Sequence, residues 1–265
     1  MANEHDLKNP AKERMRSGGV ALGMIVRLAR SAEIARIAKT TGHDFIFIDG
    51  QHALFSVETI GHIAQTALGI GVAPLVRVRS CDDPATPVIL DNGATGIVFP
   101  DVSTAAQAQR AVDACKFPPV GKRSVSAGYP QYDYRAVPLT QAVPALNDST
   151  LVVCMIETVE GLANVDAIAA VDGVDVVHVG CNDLLTAMGL PGQFGCPQIM
   201  EAMDRVIAAA RKHGKFAGLG GDRDLQRQRD LVNKGVRFVT TQTDMGFLMM
   251  AASARTAEIR KSLSD

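Results

Sequence analysis

Short apolar runs alternate with segments of helical period along most of the chain, and this alternation constrains the fold more than any other feature of the sequence. A run such as 151–157 consists of β-branched and apolar residues, which is typical of a parallel strand buried on both faces. Helical segments lie between the runs, for example where Ile34 and Ile37 share a face. The runs cover residues 20–26, 44–49, 73–78, 96–100, 151–157, 174–180, 216–220 and 238–241.

These eight strand–helix units predict an α/β protein with a (β/α)8 or TIM barrel, and an open doubly wound sheet is the alternative. The length of 265 residues fits one barrel or two average domains. Because the sequence contains no fixed-period repeat, low-complexity tract or linker, we predict one barrel domain over residues 19–265, preceded by a loose tail over residues 1–18. A final apolar helix from about residue 245 is predicted to contact the core or a second subunit.

The charge and cysteine content exclude several classes of function. The chain has 27 Lys and Arg against 28 Asp and Glu, so no basic field is available to hold nucleic acid or an anionic membrane. Its five cysteines are widely spaced and form no C-x-x-C pair, which disfavours a disulfide framework and a structural zinc site. No apolar stretch approaches the roughly 18 residues that a membrane span needs. We therefore expect a cytoplasmic protein.

Two acidic residues end neighbouring predicted strands. Glu157 ends the run 151–157, and Asp183 follows the run 174–180. The carboxyl ends of parallel strands in a barrel meet at one face, where ligands bind. Two carboxylates without a nearby Cys-His ligand set favour a hard ion such as Mg²⁺ or Mn²⁺, with Co²⁺ or Zn²⁺ as alternatives. Such an ion leaves positions for water and for a 2-oxo acid bound through two oxygens.

Other ionisable residues at strand ends suggest how such a substrate reacts. Arg77 is placed to stabilise the negative charge of an enolate oxygen. His52 has a side chain that can carry a proton near neutral pH. Asp49, three residues earlier, and Asp91, near the end of a helix, are both candidates for the acid that orients His52. These residues alone leave that choice open.

Each of these residues also has a structural interpretation. Asp183 could simply cap the helix that follows it, and a strand-end acid commonly forms a salt bridge. His178 lies within a strand and is interpreted as a hydrogen-bonded core histidine. Residues 117–150 hold five of the twelve prolines and all three tyrosines. We interpret this segment as an excursion bordering the site, with a short helix inside it.

Six segments, taken in order, resemble the metal-dependent class II pyruvate aldolases of the HpcH/HpaI family, which includes 2,4-dihydroxyhept-2-ene-1,7-dioate and 2-dehydro-3-deoxyglucarate aldolases. The resemblance spans roughly residues 19 to 255. The segments are I-D-G-Q-H-A at 48–53, L-V-R at 75–77, L-D-N-G-A at 90–94, P-P-V-G-K-R at 118–123, I-E-T at 156–158 and V-G-C-N-D-L at 179–184. The sequence departs from the family pattern at Gln51, Met155 and Cys181-Asn182, where glutamate, glutamine and Pro-Ala are usual.

The resemblance implies a role for each matching residue. Glu157 and Asp183 would be the metal ligands, and Arg77 would steady the pyruvate enolate. His52 and Asp91 would form the acid–base pair. The backbone of Gly180, Cys181, Asn182 and Asp183 would receive the substrate carboxylate. The family also implies a barrel whose last helix packs on a neighbouring subunit in a trimer or hexamer.

From this resemblance we expect a carbon–carbon lyase that cleaves a 4-hydroxy-2-oxo acid to pyruvate and an aldehyde through a pyruvate enolate. The alternatives are an oxaloacetate decarboxylase or related enolate-forming enzyme, and an oxo-acid-binding barrel without catalysis. The motifs leave the aldehyde unspecified. Arg79 and residues 128–132 are candidates for its pocket, and a salt bridge and a packed loop are their structural alternatives.

Overall fold

Eight parallel strands form the centre of the molecule. The computed structural model describes residues 7–264, and within that range the strands pair in sequence order and close into a barrel, which confirms the predicted fold class. The strands are β1 (Ala21–Val26), β2 (Phe45–Asp49), β3 (Ala73–Arg77), β4 (Gly96–Phe99), β5 (Leu151–Ile156), β6 (Val176–Gly180), β7 (Phe216–Gly220) and β8 (Val236–Thr243).

Helices follow the strands and surround the barrel as a single domain. Each strand–helix connection returns the chain to the same end of the barrel, so all strand carboxyl ends face one rim. The helices are α1 (Pro10–Arg16), α2 (Glu33–Thr40), α3 (Val57–Gly69), α4 (Thr86–Asp91), α5 (Ala105–Cys115), α6 (Leu139–Ser149), α7 (Val159–Ala163), α8 (Val165–Ala169), α9 (Cys181–Ala187), α10 (Pro197–Lys212), α11 (Leu225–Lys234) and α12 (Asp244–Ser262), with a 3-10 helix at Pro130–Tyr132.

The strands separate two apolar layers, and their alternation sets the direction of each side chain. In β2, Phe45 and Phe47 point into the barrel, whereas Ile46 and Ile48 belong to the layer between strands and helices. Gly23 leaves room for Phe45, because a Cβ at position 23 would lie 1.9 Å from its ring. The same alternation directs Asp49, the last residue of β2, into the barrel at the rim.

Helix α1 closes the amino-terminal end of the barrel. Ala11 and Met15 are buried within the interior layer, and Asn9 caps the helix by accepting the backbone N–H of Lys12. The Asn9 amide also donates to the backbone carbonyls of Thr95, just before β4, and Ser149, at the end of α6. The prediction of a loose tail was therefore wrong for residues 10–16, because the open end of the barrel requires an apolar cover. Residues 1–6 of that tail lie outside the described residues.

Residues 117–150 pack away from the strand carboxyl ends. Phe117, Tyr129 and Tyr132 form a separate apolar cluster with residues of α6. In the part of the chain that the structure describes, no residue of this segment lines the cavity at the carboxyl ends of the strands. The interpretation of this segment as a site-bordering excursion was wrong, since two of its three tyrosines, Tyr129 and Tyr132, are used to build a local core. Residues 128–132 likewise form a packed loop, which was the structural alternative to a place in the aldehyde pocket.

Helix α12 is anchored only at its start. The Asp244 carboxylate accepts the backbone N–H groups of Arg27, Leu28 and Ala29, and Asp244 is the one buried residue of the helix. Apart from the half-buried Gly246, the remainder is exposed, including four consecutive apolar side chains with exposed fractions between 37% and 64%, Phe247, Leu248, Met249 and Met250. None of the helices within residues 7–264 combines the length and hydropathy that a bilayer crossing needs.

Candidate active site

A cavity of about 380 Å³ opens at the carboxyl ends of the strands. Most of the residues that the sequence analysis singled out meet there, because each ends or follows one of four strands of the same barrel, β2, β3, β5 and β6. The predicted residues that line the cavity are Asp49, His52, Arg77, Glu157, Gly180, Cys181, Asn182 and Asp183. Asp91 and Arg79 are absent from the lining within the described residues.

Asp49 fixes the position of Arg77. The two residues are register partners in β2 and β3, and the Arg77 guanidinium donates to both carboxylate oxygens of Asp49 at 3.0 and 2.7 Å. Arg27 approaches the same carboxylate at 3.1 Å. Burial alone would raise the pKa of Asp49, but the hydrogen bonds and charge of Arg77 outweigh it and lower the pKa. Asp49 is therefore an ionised anchor for two guanidinium groups.

His52 lies at the mouth of the cavity, on the turn after β2. Its backbone N–H donates to Asp49 at 3.1 Å, and its side chain is exposed. Asp49 thus orients the turn that carries His52, while no hydrogen bond in the described residues joins its carboxylate to the imidazole ring. This geometry leaves the ring available to a substrate.

Asp91 is held by a different partner. At the end of α4, its carboxylate accepts a hydrogen bond from the buried Arg123 at 2.5 Å. No hydrogen bond between Asp91 and the His52 ring is present within residues 7–264. The pairing of His52 with Asp91 therefore stays a prediction.

Glu157 carries a buried oxygen without a partner. One carboxylate oxygen accepts the backbone N–H of Asp101 at 3.3 Å, and the other makes no hydrogen bond to any described residue. Gly180 makes the position accessible, since a Cβ there would lie 2.5 Å from that free oxygen. Burial raises the pKa of Glu157 to about 7, and the negative charges of Asp101 and Asp183 add to this effect against the opposing charge of Arg77.

These contacts fit a divalent cation. A buried carboxylate that is short of hydrogen bonds and lies beside two further carboxylates gains from a positive charge. Asp183, exposed in the first turn of α9, lies close enough to act on the Glu157 pKa. Among the described residues no cluster of three or more His, Cys, Asp or Glu has the geometry of a metal site. Two protein carboxylates suit a hard ion that completes its coordination with water and substrate.

His178 lies on the floor of the cavity. Glycines on β7 provide the space for its ring, because a Cβ at Gly218 or Gly220 would lie 2.5 or 2.6 Å from a ring nitrogen. The ring packs edge-on to Phe238, and Nδ1 has no hydrogen-bond partner among the described residues. The interpretation as a core histidine agrees with this burial, but the expected hydrogen bond at Nδ1 is not formed. Burial, and then the charges of Arg77 and Arg223, lower the pKa of His178 to about 3.

We expect His178 to make the protein less stable in acid. Between pH 6.5, the ordinary pKa of the group, and about 3, the unfolded chain binds a proton that the folded chain does not. This group should therefore remove about 2 kcal/mol from the free energy of unfolding between pH 7 and pH 5. His178→Phe should lose this part of the pH dependence in urea titrations, whereas His62→Phe, at an exposed position, should keep it. Equal pH dependence in wild type and His178→Phe would contradict the account.

Two arginines in the cavity were missed by the sequence analysis. Arg27 follows β1, and Arg223 follows β7 after a turn. Arg27 could have been found as a cation directly after a predicted strand, as Arg77 was considered at its strand end. Arg223 had no comparable signal, because Gly221 and Asp222 separate it from the end of β7.

Comparisons with known proteins extend along most of the chain. The sequence model of the family described as HpcH/HpaI aldolase/citrate lyase matches residues 23–251. A 4-hydroxy-4-methyl-2-oxoglutarate aldolase from Hapsidospora irregularis is 39% identical over 259 residues, which cover 95% of this chain and 93% of that protein. A 2-keto-3-deoxy-L-rhamnonate aldolase from Escherichia coli K12 is 34% identical over 212 residues, covering 80% and 79% of the two chains.

A solved structure has the same fold over nearly its whole length. The crystal structure of an HpcH/HpaI aldolase from Desulfitobacterium hafniense DCB-2 superimposes with a TM-score of 0.89 at 28% identity. The alignment covers 94% of this chain and 96% of that one. The residues that line the cavity, from Ile25 to Thr243, all fall within the region matched by the family.

Proposed function

Because the chain belongs to the HpcH/HpaI aldolase/citrate lyase family, we propose that it is a divalent-metal-dependent aldolase cleaving a 4-hydroxy-2-oxo acid to pyruvate and an aldehyde. The observation that carries the proposal is the partnerless, buried oxygen of Glu157 beside Asp101 and Asp183, in the same cavity as the anchored guanidinium of Arg77. Carboxylates that can hold a metal ion and the fixed guanidinium of Arg77 lie in one cavity, and this arrangement suits a reaction that develops negative charge on a carbonyl oxygen.

Glu157 and Asp183 would hold the ion, which we propose to be Mg²⁺ or Mn²⁺ because both ligands are carboxylates. When bound, such an ion polarises the 2-oxo group of the substrate and stabilises the enolate charge. Co²⁺ and Zn²⁺ are the alternatives, since both bind carboxylate oxygen as well. We propose that the backbone of residues 180–183 receives the substrate carboxylate.

The protein's own residues then perform the proton and charge steps. His52 accepts the proton of the 4-hydroxyl group, and the electron pair of that O–H bond forms the carbonyl of the departing aldehyde. The C3–C4 bond breaks, and its electrons pass to C3 and the C2 oxygen as the enolate. Arg77 donates hydrogen bonds to that oxygen as its charge develops, and Asp49 keeps the guanidinium in place. A proton from solvent then adds to C3 and gives pyruvate, and His52 releases its proton to solvent.

Product analysis tests this proposal against its rivals. With Mg²⁺ or Mn²⁺ present, the enzyme should release pyruvate and an aldehyde in equal amounts from a 4-hydroxy-2-oxo acid, and EDTA should stop the release. Release of CO₂ from oxaloacetate much faster than any aldehyde release would make decarboxylation the principal activity. Binding of pyruvate without turnover of either substrate would support a barrel that binds oxo acids only.

We also propose that the protein is a homo-oligomer, a trimer or hexamer, held in part by α12. The exposed apolar side chains of that helix would be covered in such an assembly. All five cysteines are free thiols, which supports our assignment to the cytoplasm.

The assembly proposal predicts a change in molar mass. The double variant Met249→Glu and Met250→Glu should lower the molar mass measured by light scattering, because charges in an apolar interface are costly to desolvate. Thr256→Glu adds a charge to the same helix outside the apolar run and serves as the control. A wild-type protein that is monomeric at micromolar concentration would refute the proposal.

A further inference from the structure

The imidazole ring of His178 extends along β7 toward the rim of the barrel. His178 is the register partner of Gly218, and a Cβ at Gly218 would lie 2.5 Å from its Nδ1. A Cβ at Gly220, two residues nearer the rim, would lie 2.6 Å from its Nε2. Gly220 is in turn the register partner of Gly180. The Nε2 atom therefore reaches the level at which the backbone proposed to receive the substrate carboxylate begins.

The hydroxyl group of Thr240 approaches the same place from β8. A Cβ at Gly220 would lie 3.0 Å from Thr240 Oγ1, so this oxygen and the Nε2 atom of His178 flank one small space above a glycine. Both side chains line the cavity, although His178 is only 1% exposed and Thr240 only 2%. Neither Thr240 Oγ1 nor His178 Nε2 forms a hydrogen bond with a described residue. Two buried polar groups that lack partners and meet at one place indicate a position for a ligand atom.

Both groups can donate a hydrogen bond to that atom. Burial and the charges of Arg77 and Arg223 lower the pKa of His178 to about 3, so the ring is neutral at pH 7 and carries a single N–H. Because Nδ1 is buried without a partner, the proton is better placed on Nε2, where a ligand can accept it. The two arginine charges that act on the ring also favour a negatively charged ligand beside it.

We infer that the Nε2–H of His178 and the hydroxyl of Thr240 donate hydrogen bonds to one oxygen of the C1 carboxylate of the substrate, and so position the oxo acid above the floor of the cavity. This inference rests on the proposed aldolase function and adds two side chains to the backbone of residues 180–183 as the site of the carboxylate. The enolate oxygen remains assigned to Arg77. A carboxylate oxygen suits this place because it accepts two hydrogen bonds and carries the charge that the arginines favour.

Binding of pyruvate tests the inference, because pyruvate contains the carboxylate without the aldehyde part of the substrate. With Mg²⁺ present, His178→Phe should raise the Kd of pyruvate roughly 10- to 100-fold, the value of a hydrogen bond to a charged group. The side-chain amide of glutamine can place an N–H near the position of the histidine Nε2, so His178→Gln should recover part of the affinity. Thr240→Val removes the hydroxyl at nearly constant shape and should also raise the Kd.

Steady-state kinetics separate this positioning role from a change in the fold. The carboxylate has the same charge in the substrate and in the enolate, so the loss of its hydrogen bonds should raise KM and leave kcat nearly unchanged. Thr86→Val is the matched control for Thr240→Val. Thr86 is buried, its hydroxyl also lacks a partner among the described residues, and it lies outside the cavity. This control should change neither the Kd of pyruvate nor KM.

An unchanged Kd of pyruvate in both His178→Phe and Thr240→Val would overturn the inference, because the two groups would then bind water only. A lower kcat with an unchanged KM would overturn it as well, since the groups would then act on the reacting oxygen. Thr240→Val tests the site independently if His178→Phe does not fold, and an equal loss in Thr86→Val would show an effect on the fold alone and overturn the inference.

The wild-type protein separates a failure of this inference from a failure of the proposed function. If the wild type binds pyruvate and exchanges its methyl protons in D₂O while the variants behave like the wild type, the inference fails and the aldolase function stands. If the wild type neither binds pyruvate nor exchanges its protons in the presence of Mg²⁺ or Mn²⁺, the proposed function itself fails.

Discussion

Glu157→Gln is expected to abolish metal-dependent activity and, at the same time, to stabilise the metal-free protein. The side chain keeps its shape but loses the charge that would hold the ion. Because such an ion contributes several kcal/mol of charge stabilisation, the rate should fall on the order of a thousandfold. The stabilisation has a separate cause. At pH 8 the fold must hold a buried carboxylate near Asp101 and Asp183 with one oxygen lacking a hydrogen bond.

The sign of the stability change follows from the pKa of Glu157. Burial first, and then the charges of Asp101 and Asp183, raise this pKa from 4.5 to about 7. The unfolded chain therefore loses its proton at lower pH than the folded chain, and stability falls as pH rises from about 4.5 to about 7. Glutamine removes that loss, so the variant should melt at a higher temperature than wild type in EDTA at pH 8.

Glu160→Gln is the matched control for this experiment. Glu160 lies three positions further on, at an exposed site, and the same substitution there should change neither activity nor melting temperature. A Glu157→Gln variant that keeps metal-dependent activity would contradict the assignment of the metal ligand. A variant that is less stable than wild type in EDTA at pH 8 would contradict the account of the buried charge.

Asp49→Asn is expected to cost both stability and catalysis. The substitution keeps the volume of the side chain but removes the charge shared by Arg77 and Arg27. Arg77 is only 8% exposed, so its charge would remain buried without a partner. Breaking a buried ion pair in this way typically costs about 3 kcal/mol or more of the free energy of unfolding. Because Asp49 would no longer hold the Arg77 guanidinium in place, kcat should also fall roughly 100-fold, as it does when a fixed oxyanion donor is lost.

A double variant distinguishes the two effects. Adding Arg77→Met to Asp49→Asn removes the unpaired charge, so part of the lost stability should return while activity should not. Asp166→Asn provides a control, because the Asp166 pair with Lys212 is exposed and solvent screens such pairs, so this substitution should leave stability nearly unchanged. Additive stability losses in the double variant, or normal kcat in Asp49→Asn, would show that Asp49 does not position Arg77.

The barrel was predictable from the sequence because its strands are buried on both faces. Continuous apolar runs such as that of β5 are typical of strands covered by a core on each side, and an ionisable residue at the end of such a run marks the rim. Glu157 and Arg77 were found in this way. Their convergence on one cavity follows from the parallel arrangement of the strands rather than from any local signal.

The remaining features depend on contacts between distant segments. The seven residues of α1 carry only two apolar side chains into the barrel, which is too weak a pattern to distinguish from a tail. The pairing of Asp91 with Arg123 joins α4 to a segment beyond α5. The place of Arg223 depends on the conformation of Gly221. The periodicity of a sequence contains no signal for such contacts, so the position of Arg223 in the cavity could be seen only in the structure.

Proton NMR of pyruvate in D₂O tests the central claim most directly, because loss of the methyl signal reports enolate formation without any assumption about the aldehyde. With Mg²⁺ or Mn²⁺ present, the wild-type protein should exchange the methyl protons for deuterium, and EDTA should stop the exchange. A folded protein that leaves the methyl signal unchanged in the presence of either metal would contradict the claim that this cavity forms a pyruvate enolate.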